Sequence, residues 1–243
     1  MTIRQKFVIL LGVVLAVLLY FAPKLSREKK SESDSAVNAG FVSSFEEAMK
    51  SVSPEQKTIF DKAEKSLKKA EANNNEQSWV ASSDIFLKGA RLIQGDKKAI
   101  LYKGAIAGFE KALALNPDNL SAKTNLGTAI VESSSLLGNQ PMKGITLLRE
   151  VIQKDSNNID ANLQLGLFSV TSQQFNKAIE RFQRILRIDS THIDMYVYLG
   201  DTYLTMGEKQ KAIESYENYK TKVKDTLIIK DIDQYIKKLK QQP

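Results

Sequence analysis

The 243-residue chain reads as an all-α protein: about four helix-turn-helix units stacked into a solenoid, with flanking helices and one N-terminal transmembrane helix. Three observations predict this. Only 12 Gly and 5 Pro occur among many Ala, Leu, Lys and Glu residues, a composition of long helices rather than turn-rich sheets. Side chains recur 34 positions apart, Gly166 with Gly200, Leu165 with Leu199, Ala178 with Ala212, and Phe182 with Tyr216. Finally, the 17 residues between Lys6 and Lys24 carry no charge and are almost wholly apolar.

That apolar run, residues 7–23, spans about 25 Å as a helix, slightly short of a bilayer core of roughly 30 Å. Lys6 and Lys24 can snorkel to the two interfaces, and Tyr20 and Phe21 sit where interfacial aromatics are found. Ala22 followed by Pro23 makes a poor cleavage site, so residues 1–23 are expected to remain as an anchor in the inner (cytoplasmic) membrane. Flanking charge is nearly symmetric. Counted literally it leans toward a cytoplasmic C-terminus, whereas a short basic tail before a short apolar run has the form of a signal anchor, with the large domain on the periplasmic side.

Residues 24–54, rich in Ser and charge at their start, are expected to form a flexible juxtamembrane linker with a short helix. Ser53-Pro54-Glu55-Gln56 has the form of a helix start, and Ile59, Phe60, Ala63, Leu67 and Ala70 follow at helical spacing. A flanking helix over 55–75 is predicted, stopped by Asn73-Asn74-Asn75.

From residue 76 to 226 the chain repeats. Units are expected at 76–119, 120–158, 159–192 and 193–226. The third carries LQLG and then KAIERF; the fourth carries Tyr196, Leu199, Gly200, Tyr203, Gly207, Ala212 and Tyr216. These residues and this period resemble the tetratricopeptide repeat (TPR), and the whole chain resembles bacterial TPR membrane and envelope scaffold proteins. The second unit is similar through Leu126, Gly127, Leu148 and Val151, with five extra residues expected in its inter-helix loop around LGNQP. The first is similar through Trp79, Phe86, Ala105, Phe109, Ala112 and Pro117, with ten extra residues expected to lengthen both helices. Residues 227–243 place Ile228, Ile232, Tyr235, Ile236 and Leu239 on one stripe, as a C-terminal capping helix should.

Chemistry is sparse. There is no Cys, and His192 stands alone in the turn between the third and fourth units, which removes cysteine nucleophiles, Cys-based zinc sites and nearly all His-dependent triads. No phosphate-loop, dinucleotide, HExxH or EF-hand spacing occurs, and no cofactor or metal site is expected. The net charge of +7 lies at the two ends, while residues 76–208 carry 14 cations against 14 acids. A phosphate-tracking groove, and hence nucleic acid, is not expected there.

What remains is a binding surface, and the resemblance implies where. In TPR proteins the first helix of each repeat lines a concave groove that holds a peptide or partner helix. Those positions are Val80, Ala81, Asp84 and Leu87; Thr124, Asn125, Thr128 and Val131; Leu163, Gln164, Leu167 and Val170; and Val197, Tyr198, Asp201 and Leu204. Asn125, Leu163, Gln164, Leu167, Val170, Val197, Tyr198 and Asp201 are the expected partner-binding set. None is Lys or Arg, which argues against a carboxylate clamp. Leu163, Leu167 and Val170 fit a groove or self-packing equally. The expected function is a membrane-tethered, non-catalytic protein-interaction scaffold. The alternative is a membrane-anchored nucleic-acid or ribonucleoprotein adaptor working through its basic C-terminal helix.

Overall fold

A computed structural model describes residues 40–241. The expected anchor, residues 1–23, lies outside them, as does the first half of the expected linker. No helix among the described residues is long and apolar enough to cross a membrane.

The chain divides into two compact units, one ending at Glu46 and one beginning at Glu47. Residues 40–50 are helical (α1), and in the first unit Phe41 and Phe45 lie one turn apart, ring centroids separated by 5.9 Å. The second unit is helical throughout: α2 (Pro54–Asn73), α3 (Glu76–Leu92), α4 (Lys98–Leu115), α5 (Leu120–Leu137), α6 (Pro141–Lys154), α7 (Ile159–Thr171), α8 (Phe175–Ile188), α9 (Asp194–Thr205), α10 (Lys209–Lys220) and α11 (Thr226–Gln241).

The helix ends follow from local chemistry. Ser53 accepts a bond from the Gln56 amide with Pro54 in the first turn of α2, and Asn74 ends that helix in the left-handed conformation. Asn75, Asn119 and Asn158 cap α3, α5 and α7, each accepting from the amide three residues on. The first three repeats therefore begin at Asn-capped helices, whereas α9 follows Ile193 without a side-chain cap.

Helices pair within each repeat, α3 with α4, α5 with α6, α7 with α8 and α9 with α10, and successive pairs stack through α4–α5, α6–α7 and α8–α9. Small residues set the closeness. A Cβ at Gly166 or Gly200 would come within 2.6 Å of the ring of Phe182 or Tyr216 respectively, and one at Gly144 would collide with the Gly127 carbonyl. The apolar set runs continuously along the pairs: Ile145, Leu148 and Val151 meet Ala161 and Leu165; Ala178, Phe182 and Ile185 meet Met195 and Leu199. This is an all-helical, TPR-like solenoid.

The extra length of the second repeat is in its first helix, not its loop. The turns at 138–140, 172–174 and 206–208 are the same length, whereas α5 is 18 residues against 13 in α7. Ser134, Ser135, Leu136 and Leu137 extend α5 because nothing stops it before Gly138, which adopts φ +67°. In the first repeat both helices are long, with 17 residues in α3 and 18 in α4, and the turn between them is longer too.

At the ends, α2 packs on α3 through Phe60, Ala63, Leu67 and Ala70. α11 packs on α10 with Ile236 and Leu239 buried and Ile232 half-buried, while Ile228 and Tyr235 remain exposed.

Candidate functional site

The first helices of the repeats line one face. α3 touches α5, and α5 touches α7. Between them lies a cavity of about 280 Å³, lined by Asp84, Leu87, Lys88 and Arg91 from α3, Asn125 and Thr128 from α5, and Asp160 and Gln164 from α7. The Asn125 amide donates to Asp84 Oδ1 at 2.9 Å, joining two repeats across 41 residues of sequence. Among the described residues Gln164 has no side-chain hydrogen-bond partner, and the Asn125 side-chain carbonyl has none either.

Electrostatics here differ from the sequence expectation. Lys88 and Arg91 reach the cavity although neither occupies one of the expected groove positions. They sit one and two turns beyond Asp84 on the same face of α3, and Asp160 sits one turn before Gln164 on α7. Continuing the helical spacing from the chosen positions would have found all three. Arg91 is held by Glu132 in a two-point pair, Nε to Oε2 at 3.0 Å and Nη2 to Oε1 at 2.7 Å, which raises its pKa. Tyr102 donates to the same carboxylate at 3.2 Å. Burial pushes the Asp84 carboxyl above the ordinary range, with the Asn125 bond and the charges of Lys88 and Arg91 opposing it.

The remaining expected residues separate into two groups. Leu163, Leu167, Val170 and Tyr198 are half-buried and pack against the core around Ala178 and Phe182, with Tyr198 stacked on Phe182 at 5.4 Å between centroids. Val197 and Leu204 pack against the last core cluster, with Ala212 and Tyr216. Asp201 is exposed but accepts the Tyr216 hydroxyl at 2.6 Å, and burial and that bond together raise the tyrosine pKa. Val80 and Val131 are half-buried and Ala81 exposed, whereas Leu87, Thr124 and Thr128 are buried and offer little to a ligand. Thus Asn125 and Gln164 share a cavity, and the other six of the expected set do not enter it.

No group of three or more His, Cys, Asp or Glu residues that could hold a metal occurs among the described residues. His192 is partly exposed, its Nε2 lying 3.6 Å from Asp189 Oδ2. Asp189 is held below the usual carboxylate range, chiefly by two hydrogen bonds from Thr191 and only lastly by His192.

The tetratricopeptide repeat family model matches residues 193–219, which cover α9 and nearly all of α10. No curated protein matches the sequence. Among solved structures, a crystal structure of MamA superposes with a TM-score of 0.47 at 24% identity, covering 60% of this chain and 91% of that one. YrrB, described as a TPR protein with an unusual peptide-binding site, gives 0.45 at 20% identity, covering 71% of this chain and 99% of that one. The last repeat is thus tetratricopeptide-like in sequence as well as in its helix pairing.

Proposed function

We propose that the chain is a membrane-tethered, non-catalytic scaffold that holds a peptide or helix of a partner protein along α3, α5, α7 and α9. The observation that carries this is the cavity shared by three first helices, where Gln164 and the carbonyl of Asn125 have unused hydrogen-bonding capacity beside Asp84 and Lys88. An extended segment offers a donor and an acceptor at every residue, which suits these amides better than an apolar surface would. A partner side chain meeting Lys88 and Asp84 would be polar, and the half-buried Leu163 and Val170 would supply contact further along α7. Tethering rests on residues 1–23, and we place the solenoid on the periplasmic side from the signal-anchor form of that segment.

Two substitutions test the groove. Asn125→Leu with Gln164→Arg removes both amides and crowds the cavity with a bulkier side chain, and should abolish crosslinking of the partner in membranes while helical content stays constant. Persistence of the crosslink in that variant would refute the groove reading. A reporter at Pro243 that is active in only one compartment tests the orientation, and release of the chain from membranes on removal of residues 1–23 tests the tether.

A further inference from the structure

A second cavity lies apart from the first, where α8 meets the end of α6, the turn after it and the start of α7. It measures about 390 Å³ and is lined by Lys177, Arg181 and Arg184 of α8, with Asn162, Ser156 and Ile152 opposite and Glu180 at its edge. The three cations lie one turn apart along a single face of α8.

Elsewhere in the solenoid, cations lining repeat contacts are matched by acids. Arg91 pairs with Glu132, Lys123 with Glu150, Lys143 with Glu110 and Lys154 with Asp118. The α8 cluster is different. Lys177 Nζ donates to Gln174 Oε1 at 2.7 Å, Arg181 Nη1 to Asn162 Oδ1 at 3.1 Å, and Arg184 Nη1 to the Ser156 carbonyl at 3.2 Å. All three partners are neutral oxygens, and no carboxylate of the described residues lies within ion-pair distance of any of the three cations.

The arrangement is also built. Asn162 is only 1% exposed, and its amide nitrogen is fixed by the carbonyls of Ser156 and Asn158, so its oxygen presents a rigid acceptor that orients Arg181. A guanidinium carries five donors, and Arg181 uses one of them on the described residues. Burial lowers its pKa; Glu180 opposes that, and Arg184 and Arg149 add to it, so the site holds a half-buried cation among like charges.

We propose that this cavity binds a small phosphate-bearing ligand, with the oxyanion seated between Lys177, Arg181 and Arg184. Three cations against the carboxylate of Glu180 leave two positive charges, the match for a phosphate dianion rather than a single carboxylate. Guanidinium forks pair with phosphate at two points, and the volume falls within the range of small-molecule sites, about 300–1,000 Å³. Ile152 gives the remainder of the ligand an apolar wall. The site is independent of the groove, since none of its lining residues lines the first cavity.

The test is titration calorimetry of the full-length chain in a neutral detergent with inorganic pyrophosphate, against citrate as a polycarboxylate, at constant ionic strength. Pyrophosphate should bind saturably at one site, and Arg181→Gln with Arg184→Gln should weaken it about tenfold or more, the scale of a lost charge-assisted contact. Arg181 also braces Asn162, so Lys177→Gln provides a second variant at an exposed position, expected to weaken binding several-fold with an unchanged unfolding midpoint. Absence of saturable binding at millimolar pyrophosphate, citrate binding as tight as pyrophosphate, or unaltered affinity in a folded Lys177→Gln variant would each overturn the proposal.

Discussion

Replacing Gly200 by Leu probes the repeat register at a close helix crossing. A Cβ at that position would lie 2.6 Å from both Cε1 and Cζ of Tyr216 and 3.0 Å from Cδ1, so reaching an ordinary 3.4 Å contact requires the ring to retreat by about 0.8 Å. It cannot retreat freely. Tyr216 is 4% exposed, its hydroxyl is bonded to Asp201, and its ring makes a T-shaped contact with Tyr235 at 5.4 Å between centroids. Overpacking of this kind costs about 1 to 3 kcal/mol. Displacing the ring also weakens a hydrogen bond to a charged acceptor, worth about 1.5 to 3 kcal/mol. Leu recovers roughly 1 kcal/mol through its better helix propensity, so the net loss is about 1.5 to 5 kcal/mol. Urea unfolding followed by far-ultraviolet circular dichroism measures it. Truncating the ring as well, Tyr216→Ala, should make the double variant less destabilised than the two single changes combined, by about 1 kcal/mol or more. A loss for Gly200→Leu below about 0.5 kcal/mol, the scale of an ordinary surface change, would refute the placement of this glycine against the tyrosine.

Other consequences follow from the same packing. Removing residues 1–23 should leave a chain that unfolds cooperatively without detergent, because the solenoid core is drawn from residues 60 onward in the second unit; loss of a cooperative transition contradicts this. Asn162→Ala should destabilise by about 1 to 3 kcal/mol, since it removes the side-chain hydrogen bonds of a buried asparagine to the Ser156 and Asn158 carbonyls and from Arg181, and a melt within a degree of the parent would count against that network. Tyr102 is pushed up to about 12 by burial, then by the charge of Glu132 and the hydrogen bond to it. Its proton is therefore kept in the folded state after the unfolded chain has lost it. The stabilising contribution is complete below about pH 10 and declines as pH rises from there toward 12, a slope that Tyr102→Phe should flatten in alkaline unfolding curves.

Much of the fold was legible because a stacked repeat writes its tightest contacts into one period. Gly166 and Gly200 face Phe182 and Tyr216 across the same helix crossing, and the pairs recur 34 residues apart. The insertion in the second repeat was misassigned to a loop because Gly138 and Asn139 read as turn residues, while the serines before them carry no stop signal and let α5 run on. The groove was less legible. Its positions were inferred on single helices, but the bond from Asn125 to Asp84 and the pair of Arg91 with Glu132 join residues about 41 apart, which no local spacing encodes. Tyr198, expected among the partner-binding residues, stacks on Phe182 of the preceding helix. The α8 cations stand at helical spacing in the sequence, but that they lack acidic partners depends on which side chains the turn at 155–158 brings opposite.

The central claim, that the face of the first helices holds the partner, is tested most directly by a photo-crosslinking residue placed at Gln164 in the full-length chain, with Thr146 on the exposed side of α6 as the comparison site. The account predicts a discrete adduct with one protein from position 164, lost when Asn125→Leu is added, and none from position 146. Equal labelling from both positions, or an adduct from 164 that survives Asn125→Leu but disappears when Lys237, Lys238 and Lys240 become Glu, would contradict it and move the working surface to the C-terminal helix.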